Sequence, residues 1–388
     1  MKIILAFDSF KGSLTSLEVA DSFEKALQIY LPHCNIHKVC IADGGEGTVD
    51  ALVENLEGEY IEIPVCDPLG RTITARYGYI EKSRTAVIEM AAASGLPLLQ
   101  PHEYNPLKTS TYGPGEMIAH ALRLGCCNFL IGIGGSATND GGMGMLSALG
   151  YKFLDKEGNI LPCNGEMLSK IVHIDSSQAM SQLQHATFTV ACDVNNPLYG
   201  PNGAAHIFAP QKGADSKMVE LLDNGLRNYA RVINSYKGCN IDTVPGSGAA
   251  GGLGAGFKAI LNARLVRGIE MVLDAIDFDQ LIADSTWVIT GEGCIDRQTL
   301  MGKAPAGILH RAHSRGIKTI AIGGKVEWCD ELRHSHFTAI HAITPPDMPL
   351  DVALQPSVAR NNIMRTAKYL AQTLLCRPKK VLQDLIQK

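Results

Sequence analysis

Apolar and polar positions fall into blocks that predict alternating strands and helices. Residues 2–7 form a short apolar run closed by Asp8, the pattern of a buried strand. The polar turn Asp8-Ser9-Phe10-Lys11-Gly12-Ser13 follows, and then Thr15-Ser16-Leu17-Glu18, which has capping-box spacing. Behind it Val19, Phe23, Ala26, Leu27 and Tyr30 recur at helical spacing, with Pro32 just past the expected end. Residues 39–42 read as the next strand, ending in Asp43-Gly44-Gly45-Glu46-Gly47-Thr48. Val49, Leu52, Val53 and Leu56 mark one face of a second helix. This β-α-β-α rhythm predicts a parallel sheet covered by helices.

The rhythm breaks near Asp67-Pro68-Leu69-Gly70. Residues 72–80 and 85–90 alternate about the charged turn Glu81-Lys82-Ser83-Arg84, which predicts an antiparallel hairpin. A helix near 116–124 and an apolar run at 129–133 lead into a glycine-rich turn and a helical run at 143–149. A second hairpin is expected over 151–161, turning at Gly158-Asn159, then a strand at 187–192 and an amphipathic helix over 215–235. The glycine run at 245–256 opens a further helix. From 286 the first rhythm resumes, with strands at 287–290, 319–322 and 339–343 and helices near 302–314 and 352–375. The simplest account is one α/β domain built from both chain ends, 1–70 and 285–388. A mixed α/β domain, 71–284, is inserted between them, and the two chain crossings would act as a hinge.

Composition refines this picture only a little. A length of 388 residues exceeds one ordinary core, which agrees with two domains. A formal charge of -4 without a basic face argues against a nucleic-acid partner. Eleven cysteines without C-x-x-C or Cys/His ligand spacing fit reduced thiols. No apolar stretch approaches the roughly 20 residues of a membrane span, and residues 1–8 do not read as a signal peptide. A cytoplasmic enzyme without membrane contact is the expectation.

The chemistry concentrates at strand ends and helix starts, where ligands lie in open α/β sheets. Ile131-Gly132-Ile133-Gly134-Gly135-Ser136-Ala137-Thr138-Asn139-Asp140-Gly141-Gly142 is a glycine-rich turn between strand and helix, a recurrent way to hold an anion. Asn139 and Asp140 add oxygens suited to Mg2+. Lys11 in the first turn offers a cation for phosphate or carboxylate, against an ordinary solvated lysine. Asp43 and Glu46 flank a glycine turn and suit either metal binding or helix capping. Asp193, in Cys192-Asp193-Val194-Asn195-Asn196-Pro197, follows a buried strand and can place a base or metal ligand. Lys212 adds either a charge-neutralising cation or a solvated turn. Gly246-Ser247-Gly248-Ala249-Ala250-Gly251 satisfies G-x-G-x-x-G formally, but the proline-containing stretch before it makes a poor central strand, so a dinucleotide fingerprint is weakly supported. Finally, Thr290-Gly291-Glu292-Gly293-Cys294-Ile295-Asp296-Arg297, with Lys303 beyond, gathers two carboxylates, an arginine and a lysine after a buried strand. There is no P-loop motif and no serine-hydrolase signature. Together the clusters suit phosphoryl transfer, which needs cations and N–H groups around phosphates, carboxylates for Mg2+ and one proton acceptor.

Over nearly its whole length the chain resembles the type 1 glycerate kinase family. The matching segments are the 8–13, 42–48, 90–96, 134–142, 192–198, 246–252 and 290–296 stretches, in family order. The resemblance implies a flavodoxin-like domain from the two chain ends and an insert likened to restriction-enzyme folds. It also implies ATP-dependent phosphorylation of D-glycerate, giving 2-phosphoglycerate in glyoxylate or sugar-acid catabolism; the sequence leaves monomer or homodimer open. Phosphorylation of the 3-hydroxyl, a small hydroxy-acid dehydrogenase using NAD, and a silent glycerate sensor are the alternatives. The resemblance does not assign the catalytic roles; from the residue clusters, Asp193 or Asp296 is expected to be the base, and Asp43, Glu46, Asp140 or Glu292 to hold Mg2+ directly or through water. Lys11, Ser9, Ser13, Gly134, Gly135, Ser136, Thr138, Asn139, Asn195, Gly248 and Lys303 are expected around phosphate or glycerate.

Overall fold

The computed structural model describes residues 1–375, which contain thirteen strands. In chain order these are β1 (Lys2–Phe7), β2 (Asn35–Cys40), β3 (Glu59–Cys66), β4 (Thr72–Ile80), β5 (Thr85–Glu89), β6 (Asn128–Gly132) and β7 (Lys152–Leu154). They continue with β8 (His173–Asp175), β9 (Thr187–Ala191), β10 (Arg264–Val266), β11 (Trp287–Ile295), β12 (Lys318–Val326) and β13 (Ala339–Ala342). The chain divides into two compact units, Gly44–Met271 and a second made of Met1–Asp43 with the chain from Val272 onward. No helix among the described residues is long and apolar enough to cross a membrane.

The two-ended unit carries a five-stranded sheet in the order β2-β1-β11-β12-β13, every pair parallel. Taken in order within this unit the strands run 2-1-3-4-5, the flavodoxin-like arrangement. β1 is apolar throughout its interior because helices cover both of its faces. One cover is the helix Ser16–Tyr30, started by a capping box in which Thr15 and Glu18 exchange side-chain and backbone bonds. Its buried face, Val19, Phe23, Ala26 and Leu27, shares a core with Ile363, Ala367 and Leu370 of the helix Pro356–Leu370. The helix Ala304–His313 also packs on the sheet, along β11 and β12.

The predicted strand at 39–42 lies instead at Asn35–Cys40. It is an edge strand, so its outer half carries Asn35 and His37 and lacks the apolar run of a central strand. The long helix expected over 352–375 is divided. A short helix, Leu350–Ala353, is followed by a fresh start at Pro356, whose fixed φ suits a first turn.

The other unit holds a mixed six-stranded sheet, β10-β9-β6-β5-β4-β3, over its own core. β4 and β5 form the expected hairpin, but β5 then pairs in parallel with β6. β3 has no counterpart in the sequence reading. It pairs antiparallel with β4 along its whole length, and Asp67 ties the connecting turn by accepting from Leu69 and Arg71 N–H. This pairing attaches the segment before residue 70 to the second unit, so the units divide at Asp43/Gly44, whereas the hydropathy pattern breaks near residue 70. The hairpin expected at 151–161 shrinks to a single bridge, Leu154 to Ile160. β7 takes β8 as its partner instead, because Phe153 and Ile174 both belong to the core whereas Ile160 is exposed.

Candidate active site

In the two-ended unit, β1 and its neighbours end on a cavity of about 870 Å³. Asp8 sits at its floor, one residue past β1, with its N–H donating to Gly291 O of β11 at 2.9 Å. The turn beyond it is held by Phe10 and Leu14, both buried and joined by backbone bonds, which leaves Lys11 exposed at the tip. Gly12 permits that tip because its φ is +78°. Ser9 and Ser13 line the same cavity, and the Ser13 hydroxyl is buried without a partner.

Two further carboxylates converge here. Asp43 arrives from the chain after β2, and Glu292 from within β11. Glu292 is only 8 % exposed; its Oε1 accepts from the Thr299 hydroxyl at 2.7 Å, and Lys303 Nζ lies 3.5 Å from its Oε2. Burial raises its pKa above the ordinary carboxylate range. Asp8, 5 % exposed, is pushed up to about 7, first by burial and then by the neighbouring Asp43, against the pull of the Ser9 N–H and Lys11. Two buried acids with raised pKa values, beside a half-buried third and facing lysines in a cavity, are the kind of perturbed cluster that collects at functional sites. The opposite wall is apolar, formed by Ile343, Pro345, Met348 and Leu354.

Asp296 does not line this cavity. It caps the turn Arg297–Met301, accepting from Thr299 N–H at 3.1 Å while its own N–H donates to Thr299 Oγ1 at 3.0 Å. Asp296 therefore fixes the hydroxyl that in turn holds Glu292.

The second unit contains the remaining candidates. Asp140 is fully buried, and its carboxylate accepts from Thr111 N–H and hydroxyl and from the N–H groups of Gly142 and Gly144, at 2.8–3.2 Å. Burial raises its pKa and these four donors oppose that. The arrangement is a clasp that shapes the glycine loop, which favours a structural role over the metal role expected from its sequence context. Gly134 and Gly135 are exposed at the loop's rim, while Ser136, Thr138 and Asn139 are buried.

Lys212, left open from the sequence as cation or solvated turn, is buried beneath this loop. Its Nζ donates to Ser136 Oγ at 2.7 Å and to Thr138 O at 2.6 Å. Asp193 is exposed at the end of β9, and its Oδ1 accepts from the first N–H of the helix Gly268–Ala275 at 3.0 Å. Asn195 and Glu46 are exposed. The helix after Glu46 starts at Thr48 with Gly47 at its cap, and receives a carboxylate from elsewhere, Glu89 Oε1 accepting from Val49 N–H at 2.9 Å.

Gly248 is buried against Pro197, with its N–H donating to Asn196 O. The chain reaches Gly246 through turns after the helix Ser216–Lys237, with no strand ahead of it, so the G-x-G-x-x-G run lacks the strand–turn–helix context of a dinucleotide fingerprint. Residues 250–252 are all left-handed, and Gly251 packs where a Cβ would lie 2.1 Å from Thr138 O. The run is thus a buttress for the 134–142 loop.

The cavity of the two-ended unit brings together Ser9, Lys11, Ser13, Asp43, Glu292 and Lys303 from the expected residues. To these it adds Asp8, whose signal was available: an aspartate placed directly after a wholly buried strand.

Comparison with known proteins bears on this arrangement. Residues 3–375 match the model of the glycerate kinase family. A glycerate kinase of Bacillus cereus is 45% identical over 372 residues, 96% of this chain and 97% of its own. The glycerate 2-kinase of Escherichia coli is 43% identical over 375 residues, 96% and 98% of the two chains. A crystal structure provisionally named glycerate kinase 2, from Salmonella typhimurium LT2, superposes with a TM-score of 0.89 at 43% identity, covering 97% of this chain and 98% of that one. With a family model spanning almost every described residue and relatives matched nearly end to end, the chain belongs to the glycerate kinase family.

Proposed function

We propose that the protein catalyses ATP-dependent phosphorylation of D-glycerate to 2-phosphoglycerate. Family membership supports the kinase activity, and the name of the Escherichia coli relative supports the position of transfer. The observation that carries the reading is the cavity in which Asp8, Asp43 and Glu292 face Lys11 and Lys303. In the reaction a glycerate hydroxyl oxygen bonds to the γ-phosphorus of ATP, the bond from that phosphorus to the bridging β-γ oxygen breaks, and ADP leaves. Lys11 and Lys303 neutralise phosphate charge; Asp193 or Asp296, proposed from the sequence as acceptor of the hydroxyl proton, stays the proposal although neither lines this cavity.

The donor set of Asp8, Asp43 and Glu292 consists of carboxylate oxygens, the ligands Mg2+ prefers, and burial raises the pKa of Asp8 and Glu292 despite the lysines beside them. These three residues would hold the ion, which supplies charge neutralisation at the phosphates. The apolar wall of Ile343, Pro345, Met348 and Leu354 suits the flat face of a nucleotide base.

The test is to incubate purified protein with D-glycerate, ATP and Mg2+, measure ADP release and resolve the product by phosphorus NMR. A 2-phosphoglycerate signal is expected. A 3-phosphoglycerate signal alone refutes the position of transfer, and absence of ADP release refutes the activity. ATP with Mg2+ is expected to raise the melting temperature, and NAD is not.

A further inference from the structure

We propose that Lys212, with Ser136 and the loop around Thr138, forms an oxyanion site in the second unit that takes a carboxylate or phosphate group of a substrate. The proposal rests on the reading above for the identity of the substrates, a small hydroxy acid and a nucleotide. Lys212 is 1 % exposed, yet both groups that accept from its Nζ are neutral, the Ser136 hydroxyl and the Thr138 carbonyl. Asp140 is the charged group that favours its ammonium form, and that carboxylate already serves four donors of its own loop. A buried ammonium with no carboxylate in direct contact, its one helping charge acting through space, costs the fold stability, and apolar replacements of buried charges are often neutral or stabilising. Burial accordingly holds Lys212 down to about 7.

A second observation lies on the same loop. Thr138 Oγ1 and both polar atoms of the Asn139 side chain are wholly buried with no hydrogen-bond partner, and so is Ser247 Oγ on the buttressing run. Buried polar atoms of native proteins are nearly always paired, so an unpaired set on the loop that holds a buried cation by neutral groups alone marks a place where a polar ligand belongs. Gly134 and Gly135 are exposed, and Gly135 turns the chain at φ +73° directly before Ser136. A small anion has charge for Lys212 and acceptors for the hydroxyls.

The experiment compares wild type with Lys212→Met and Ser136→Ala. KM is measured for D-glycerate and for ATP separately, together with melting-temperature shifts from D-glycerate alone, ATP alone and inorganic phosphate alone. Loss of one charge-assisted contact predicts a rise on the order of 10- to 100-fold in one KM for Lys212→Met, with a smaller rise in the same KM for Ser136→Ala. If the glycerate KM rises and stabilisation by glycerate disappears, the site takes a carboxylate. If the ATP KM rises and stabilisation by ATP or phosphate disappears, it takes a phosphate. Unchanged KM values and unchanged ligand shifts in both variants overturn the proposal. Should Lys212→Met fail to fold, the Ser136→Ala result decides it alone. Should wild type release no ADP with glycerate, the kinase reading fails, while the shifts from phosphate and from glycerate still report on the anion site.

Discussion

Replacing Asp8 by asparagine separates what the cavity does for chemistry from what it costs the fold. Asp8 is buried beside Asp43, and its carboxyl is held at about 7 against an ordinary 3.8. Between those values the unfolded chain has released a proton that the folded chain keeps, so Asp8 makes stability fall as pH rises from about 4 to about 7, and the loss is complete above that. At ~1.4 kcal/mol per pH unit, the ionised carboxylate costs the fold about 4 kcal/mol at the alkaline end. Asparagine has nearly the same shape, carries no charge, and its amide oxygen still accepts the Ser9 N–H that Asp8 Oδ1 receives at 2.6 Å. Asp8→Asn is therefore expected to be more stable than wild type at pH 8 and to lose most of its turnover. The stability gap between the two proteins should widen by about 2–3 kcal/mol from pH 5 to pH 8. Urea denaturation followed through the fluorescence of Trp287, buried in β11 of the same unit, reads this gap. A gap that stays constant with pH, or a variant less stable at pH 8, refutes the reasoning.

Other expectations follow from single contacts. Gly251→Ala places a Cβ 2.1 Å from Thr138 O at a φ of +68°, and should destabilise the protein by about 3 kcal/mol or more in a thermal melt; an unchanged melting temperature contradicts the buttress. Asp140→Asn puts an amide NH2 against at least one of four donors, and about 1–3 kcal/mol should be lost in urea denaturation; wild-type stability would show that the clasp is dispensable. Asp193→Asn and Asp296→Asn, measured singly, test the proton acceptor. The base is expected to lose about 100-fold or more in turnover, and near-normal rates in both variants would remove both from that role.

The parallel sheet was legible because β1 and the buried first halves of β11 and β12 read as short, mostly apolar runs without alternation. Edge strands were harder. β2 is half polar, and β3 interrupts its alternation with Pro64, tolerated there because an edge strand has backbone groups that need no ladder partner. Gly158-Asn159 does make a turn, but a turn signal alone does not supply the apolar partner that a hairpin needs. The acidic and basic residues of the cavity were visible as clusters after strands. What each carboxylate does was not, because that depends on groups far away in sequence. Asp140 is occupied by Thr111, and Lys212 is buried by a loop more than 70 residues before it.

The two-ended construction has a consequence for synthesis on the ribosome. The central strand β1 pairs with β11 through Ile3 and Trp287, while Gly44–Met271 lies between the two ends as a unit with its own core. At about 5–20 residues per second, β1 and its apolar helix face wait on the order of tens of seconds for β11 to emerge. During that interval the inserted unit can complete its core, whereas Phe7, Phe23 and Leu27 have not yet met Ile289 or Ile320. The nascent amino-terminal segment therefore keeps its apolar helix face uncovered through that interval, and the cavity carboxylates Asp8 and Glu292 come together only after β11 has been made.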